Sequence, residues 1–307
     1  MRYPLSTLLL IITVFFVLNS CQKEYSIDNG NIIITPPPII PDSSYLSKIY
    51  SIYYDASGRD SSSRTYSYDN LKRVIAMTDS LTDPAATNPF NAFVYYYNGN
   101  DTLPYKTRLY VNDFSYTDTT ITYHFYNNLG RKIKDSALRS YNTFPIINYY
   151  KDTIVSSYSY APGKIYGITN YSSGSSASAS YKDTASVDAR GNLLSNKRYR
   201  LVAGPPASYE LYVTSNITYN NGLSPFAKLS NFKSYIVFPF GETFYSEFAQ
   251  NNNITQIDEY TIFGPGSVYH YIENFNNYTY NANGYPKEIF TLTPTDSTRL
   301  IFKYRAF

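Results

Sequence analysis

The chain reads as all-β, an extended antiparallel meander of β-hairpins that repeat about every 30 residues. Three observations predict this: turn residues at near-constant spacing, stretches of alternating apolar and polar residues between them, and 37 tyrosines against 18 phenylalanines and no tryptophan. Taking the residue before each turn as anchor gives positions 54, 68, 97, 126, 160, 187, 219, 248 and 280, so after the first pair the spacing stays between 27 and 34. About thirty residues hold two strands of roughly eight, one tight turn and one longer connection, which is a hairpin per repeat.

Residues 1–20 have the layout of a signal peptide. Arg2 precedes the apolar run Leu8 to Leu18, and Ser20 supplies a small residue before the cut. The run has eleven residues including Thr13, well short of the roughly 20 that span a bilayer. Leu18-Asn19-Ser20-Cys21 resembles the lipobox of bacterial lipoproteins, which implies cleavage between Ser20 and Cys21 and acylation of Cys21, the chain's only cysteine. Each buried CH₂ of an acyl chain contributes about 0.8 kcal/mol, so two or three chains hold firmly. Gln22-Lys23-Glu24 resembles the surface-export signal of Bacteroidetes-type lipoproteins. The location these resemblances imply is the outer membrane, with the chain exposed at the cell surface and the membrane as its partner through the N-terminal lipid.

Residues 21–44 carry Asn29-Gly30, Pro36-Pro37-Pro38 and Pro41, which favour an extended, partly polyproline tether over a packed core. Ile32 to Ile34 offers the alternative of an edge strand against the folded body. The β domain then runs over 45–307. Its clearest turn copies are Tyr53 to Arg59, Tyr66 to Arg73, Phe125 to Arg131 and Tyr278 to Tyr285, each an aromatic strand end followed by Asp or Asn and a short turn. Hairpin turns need positive φ, which Gly tolerates, and Asp or Asn side chains also bond the local backbone. Asp55, Gly58, Asp69, Gly130, Gly191, Gly222 and Gly284 are therefore read as structural turn residues.

At these residues the chain resembles the YD-repeat or Rhs-type proteins, whose Tyr-x-Tyr-Asp-x-x-Gly-Arg units build long antiparallel sheets. It resembles more closely the Bacteroidetes-type lipoproteins of unassigned activity that carry a few such repeats. The family motif is structural, so the resemblance implies no catalytic residues and no cofactor.

The formal net charge is +3 over 307 residues with scattered Lys and Arg, unlike the clustered face of a nucleic-acid binder. With Cys21 acylated, no thiol remains for a disulfide or zinc site. His124 and His270 each sit between aromatics, and H-E-x-x-H, G-x-S-x-G, Walker and Rossmann patterns are missing. Asp258, Glu259 and Glu247 are the carboxylates weighed for acid–base chemistry, and each reads better as a solvated position. The expectation is thus not an enzyme but a non-enzymatic β scaffold or binding module. The alternative is a surface glycan-binding protein using exposed tyrosines, with a glycan or another envelope protein as partner. About sixteen strands could also close into an outer-membrane barrel. Counting back by twos from Phe307, however, meets Arg305 and Lys303, so the lipid-facing alternation of a membrane barrel fails in the last strand and the extended meander stands as the expectation.

Overall fold

The computed structural model describes residues 27–28, 31–32, 45–55, 58–81, 90–112, 116–143, 148–174, 178–202, 206–229, 252–264, 267–293 and 295–307. Ser20, Cys21 and Glu247 lie outside them. Two short strands, β1 (Ile27–Asp28) and β2 (Asn31–Ile32), pair with each other. Sixteen longer strands follow: β3 (Tyr45–Asp55), β4 (Gly58–Tyr68), β5 (Val74–Leu81), β6 (Phe90–Tyr96), β7 (Lys106–Asn112), β8 (Tyr116–Tyr126), β9 (Lys132–Thr143), β10 (Asn148–Ala161), β11 (Lys164–Ser173), β12 (Ala179–Val187), β13 (Leu193–Val202), β14 (Ser208–Leu223), β15 (Asn252–Gly264), β16 (Ser267–Tyr280), β17 (Pro286–Leu292) and β18 (Ser297–Arg305). No helix is present among the described residues, and so none long and apolar enough to cross a membrane.

Every strand from β3 to β18 is antiparallel to its chain neighbours, and β18 pairs back onto β3 from Ser297↔Tyr54 to Arg305↔Tyr45. The sheet is therefore a closed barrel of sixteen strands, which corrects the extended meander expected from the hairpin repeat. Closure satisfies the backbone groups that two open edges would expose. The count from Phe307 read the faces of the last strand correctly, since Phe302 and Tyr304 pack on the core and Lys303 points outward. The polar outer face it found does not prevent the strands from closing.

Ile49, Tyr66, Met77, Ile165, Ile217, Ile257, Phe275 and Phe302 come from strands around the whole ring, yet they belong to one buried cluster. Only the lumen brings such residues together, so they mark the inward face. Directly opposed residues share a face, and Ile49↔Arg64, Tyr66↔Met77 and Met77↔Phe93 carry the assignment from strand to strand. The outward alternates are largely Ser, Thr and Lys on some strands, for instance Thr65 and Ser67 on β4, Thr78 and Ser80 on β5, and Lys182 and Thr184 on β12, while others turn out apolar residues such as Ile121, Tyr123 and Phe125 on β8 and Val268 and Ile272 on β16. Outward lysines in mid-strand, such as Lys151 and Lys182, interrupt the apolar side chains of this surface, where a membrane barrel carries a continuous apolar band.

The hairpin turns after β4, β8, β12 and β16 all lie at one end of the barrel, and there the lumen is closed by Leu46, Val74 and Leu193, each almost fully buried. After β14 the chain turns at Ser224–Leu229 and places Phe226 and Leu229 in the same cluster. Burying each of these side chains contributes about 1.5 to 3 kcal/mol.

A ring of tyrosines ties successive hairpins together at this end. The hydroxyls of Tyr68, Tyr97, Tyr126, Tyr160, Tyr219 and Tyr304 donate to the backbone carbonyls of Leu46, Val74, Pro104, Lys132, Leu193 and Pro286, at 2.6 to 3.0 Å. Tyr278 does the same to Ile254. Tyr68, Tyr97, Tyr126, Tyr160 and Tyr219 are anchors of the sequence repeat. Burial raises the phenol pKa of Tyr68, Tyr97, Tyr126, Tyr160, Tyr278 and Tyr304, with Tyr160 pushed up to about 12. A buried neutral hydroxyl with a partner is stable where a phenolate would not be.

Candidate binding site in the barrel lumen

The two inner walls differ in degree of burial. On β10 to β14 the inward residues Asp152, Thr169, Asp183, Arg198 and Ser215 are at most 4% exposed. On β4 to β9 the inward Tyr66, Met77, Asp118, Thr122 and Ala137 are buried as well, but Arg64, Asp79, Thr107, Leu109, Thr120 and Arg139 between them are half-buried. At the end away from the turns just described, Tyr53, Arg200 and Tyr269 point inward by register and are exposed. The barrel is thus a cup, closed at the tyrosine ring and open opposite, with its accessible inner wall on β4 to β9.

Charged groups in the cup are paired across ladders. Arg64 holds Asp79 with two bonds of 2.6 and 2.8 Å, and Arg198 holds Asp183 with bonds of 2.8 and 3.2 Å. Arg139 reaches Asp118 at 2.5 Å. Toward the mouth, Tyr141 and Tyr150 pack with ring centroids 5.0 Å apart, and the Arg139 guanidinium lies 4.7 Å from the Tyr141 ring. On the neighbouring wall Arg198 covers Tyr181 and Arg200 covers Tyr212, at 5.5 and 5.1 Å. Asp152, fully buried, accepts from the Tyr171 hydroxyl, the Ser173 hydroxyl and the Gly174 N–H. Aromatic faces and fixed hydrogen-bonding groups therefore alternate along the inner surface.

The most chemically structured cluster joins β7, β8 and β9. His124 contacts Asp135 through Nδ1 at 2.6 Å and Thr107 Oγ1 through Nε2 at 3.0 Å, while the Tyr158 hydroxyl donates to Asp135 at 2.8 Å. Burial lowers the His124 pKa and outweighs the opposing pull of Asp135. The imidazole is then neutral near pH 7, with Nδ1–H donating to Asp135 and Nε2 accepting from the Thr107 hydroxyl. Burial works against ionisation of Asp135, but Lys132 and the hydrogen bonds from His124 and Tyr158 hold its carboxyl below the usual range. Hydroxyl, imidazole and carboxylate stand in the order of a nucleophile relay. Acyl transfer also needs donors aimed at the developing oxyanion. Thr107 sits within a strand, opposite Tyr95 and Thr122, where the amides serve the ladders. The cluster is a satisfied polar layer of the lumen.

The other groups weighed from sequence do not converge. His270 lies on the outer face, stacked on Tyr260 at 4.0 Å and bonded to Asp258. Glu259, the next residue after Asp258, faces inward and accepts from Ser215. Glu273 accepts from Tyr271, and burial raises its pKa.

Four turns share one geometry. Oδ1 of Asp69, Asn127, Asp188 or Asn281 accepts the N–H groups two and four residues on, at 2.8 to 3.0 Å. The residue three positions on has positive φ: Lys72 at 61°, Gly130 at 69°, Gly191 at 84° and Gly284 at 78°. Asp55 and Gly58 face each other across the β3–β4 hairpin at the open end, the opposite end from Asp69. Gly222 requires a correction. It is not a turn residue but lies inside β14 and lacks positive φ. The ladder skips there from Tyr219↔Ile254 to Leu223↔Asn252, and a Cβ would stand 2.4 Å from Asn253 Nδ2 and 2.8 Å from the Tyr280 hydroxyl. The crowding here comes from the ends of the Asn253, Tyr280 and Asn220 side chains, not from backbone handedness.

No family model matches the chain, and no curated protein does. Among solved structures it is similar to a porin-like protein from Bacteroides vulgatus ATCC 8482, at 13% identity and a TM-score of 0.49, over 86% of this chain and 100% of that one. It is also similar to a porin-like protein from Bacteroides uniformis ATCC 8492, at 12% identity and a TM-score of 0.47, over 86% of this chain and 99% of that one.

Proposed function

We propose that the chain is an acylated cell-envelope lipoprotein whose barrel is a non-enzymatic binding module for an uncharged, polyhydroxylated ligand such as a glycan segment. The observation that carries this reading is the Tyr141–Tyr150 pair beside Arg139 and Asp118 at the open mouth of the cup. A sugar offers an apolar C–H face and a rim of hydroxyls that donate and accept, which matches an aromatic platform bordered by fixed polar groups. Because Arg64, Arg139 and Arg198 each have a carboxylate partner, the lumen favours a neutral ligand over an ionic one. The lipobox-like Cys21 and the proline-bearing tether supply the envelope attachment, and the YD-repeat resemblance agrees with a scaffold built from hairpins.

Calorimetric titration with a panel of neutral oligosaccharides tests the proposal. At least one member is expected to bind, and Tyr150→Ala should weaken it about tenfold while leaving far-UV circular dichroism unchanged. No binding across the panel, or equal binding by the variant, contradicts the reading.

A further inference from the structure

The outer surface is not uniform. On β7 to β13 the inward face is fixed by Leu109, Thr122, Ala137, Ile154, Ile165 and Ala185, so the alternates point out. These include Lys106, Arg108, Lys134, Lys151, Lys164, Lys182 and Lys197. All four carboxylates on the same seven strands, Asp118, Asp135, Asp152 and Asp183, point inward. This wall therefore carries seven outward cations and no outward carboxylate among the described residues. Elsewhere outward acids appear, Asp258 against His270 and Glu288 against Arg299.

Between the cations the wall exposes apolar side chains. Tyr123, Phe125, Leu138, Tyr166 and Ile168 are 40 to 48% exposed. Phe125 lies opposite Lys134, whose ammonium stands 5.7 Å from the ring. Seven of the sixteen strands form a curved wall with an arc of roughly 30 Å, and its middle strands β9 to β12 turn Lys134, Lys151, Lys164 and Lys182 to one side.

We infer that the outer wall centred on β9 to β12 is a docking face for an anionic lipid leaflet, on which the barrel lies without crossing it. Charge complementarity selects an anionic partner, since polybasic faces are attracted to acidic headgroups and each cation near the surface strengthens binding about fivefold. The exposed rings and aliphatic side chains select a lipid surface over a dissolved acidic polymer, because they can settle at the headgroup boundary while Lys stems extend past them into water. Lys182 and Lys197 stand within their strands, which bars this wall from the hydrocarbon itself. The inference rests on strand register and is independent of the acylation of Cys21 and of the ligand proposed for the cup.

The test is vesicle sedimentation of the full chain carrying Cys21→Ser, so that no acyl group contributes. Partition into vesicles with about 30% phosphatidylglycerol is expected to exceed that into pure phosphatidylcholine at least tenfold and to fall sharply in high salt. Combining K134E, K151E, K164E and K182E should abolish the preference. Reversing the same number of charges on the other walls, with K48E, R59E, K287E and K303E, should reduce it far less. Circular dichroism of each variant confirms that the barrel is intact. Equal partition into both vesicle types, or equal loss in both sets of variants, overturns the inference, as does binding to dextran sulfate without binding to vesicles.

Discussion

The Tyr97 hydroxyl donates to the Val74 carbonyl at 2.8 Å, joining the end of one hairpin to the returning strand of the one before it. The same bond recurs from Tyr68, Tyr126, Tyr160, Tyr219, Tyr278 and Tyr304, so seven of the 37 tyrosines have a shared mechanical role. Removing one hydroxyl takes this hydrogen bond away from a buried site. Tyr97→Phe is therefore expected to lower stability by about 1 to 2 kcal/mol in a urea melt. A melt identical to the parent would show that the bond adds nothing to the fold.

These phenols also set an upper pH limit. Their folded pKa values lie above the unfolded value of 10.0, so their contribution is complete below pH 10 and is lost as pH rises through the folded values. Tyrosinate absorbance at 295 nm should include a step that coincides with loss of the β signal above pH 10. Complete ionisation of tyrosine while the β signal persists would contradict the buried ring.

Acid is expected to destabilise through His124 and Asp135. Burial keeps the folded His124 pKa below its unfolded value of 6.5, so the unfolded chain takes up more protons as pH falls past that point and stability declines. Asp135, held below 3.8, acts in the same sense at lower pH. Urea melts at pH 7.5 and 5.0 should differ in the parent and differ less in His124→Phe. An NMR titration placing His124 above 6.5 would reverse the sign.

The turn at Asp69 differs from its three relatives in one respect: Lys72 occupies the positive-φ position where they have Gly130, Gly191 and Gly284. Lys72→Gly should be neutral or stabilising, whereas Gly130→Val and Gly284→Val should each cost about 1 to 3 kcal/mol. If the valine variants melt like the parent, the shared turn geometry is wrong.

Arg198 and Asp183 form a deeply buried ion pair, with both side chains 3% exposed. Asp183→Ala leaves a buried cation uncompensated and should cost about 3 to 5 kcal/mol. Thermal melts of Asp183→Ala and of Arg198→Met with Asp183→Leu should show the double variant recovering most of that loss.

The hairpins were legible because Asp69, Asn127, Asp188 and Asn281 fall in register with the aromatic anchors, and side-chain capping of a turn is a local property that sequence carries. The first copy misled in one respect. Tyr54 lies only fourteen residues before Tyr68, one strand and a turn away, so Asp55 and Gly58 stand at the other end of the barrel. Closure was illegible because neighbouring strands reveal their pairing through turns, while β18 and β3 have no turn between them. Register shifts such as those at Lys303/Tyr304 and Phe125/Tyr126 also break the parity by which faces are counted. The lumen pairs were hidden for the same reason. Asp183 and Arg198 are fifteen residues apart and meet only once β12 and β13 are in register.

Closure is tested most directly at the seam, where Lys48 and Lys303 stand opposite each other on the outer faces of β3 and β18. Directly opposed antiparallel residues have Cα atoms about 4.5 to 5.5 Å apart, within the span of a disulfide. In a Cys21→Ser background, Lys48→Cys with Lys303→Cys should form an intramolecular disulfide under mild oxidation. The product should be lighter by about 2 Da and migrate faster without reductant. An open meander holds its first and last strands a whole sheet apart, so monomeric protein that keeps both thiols free would contradict the barrel.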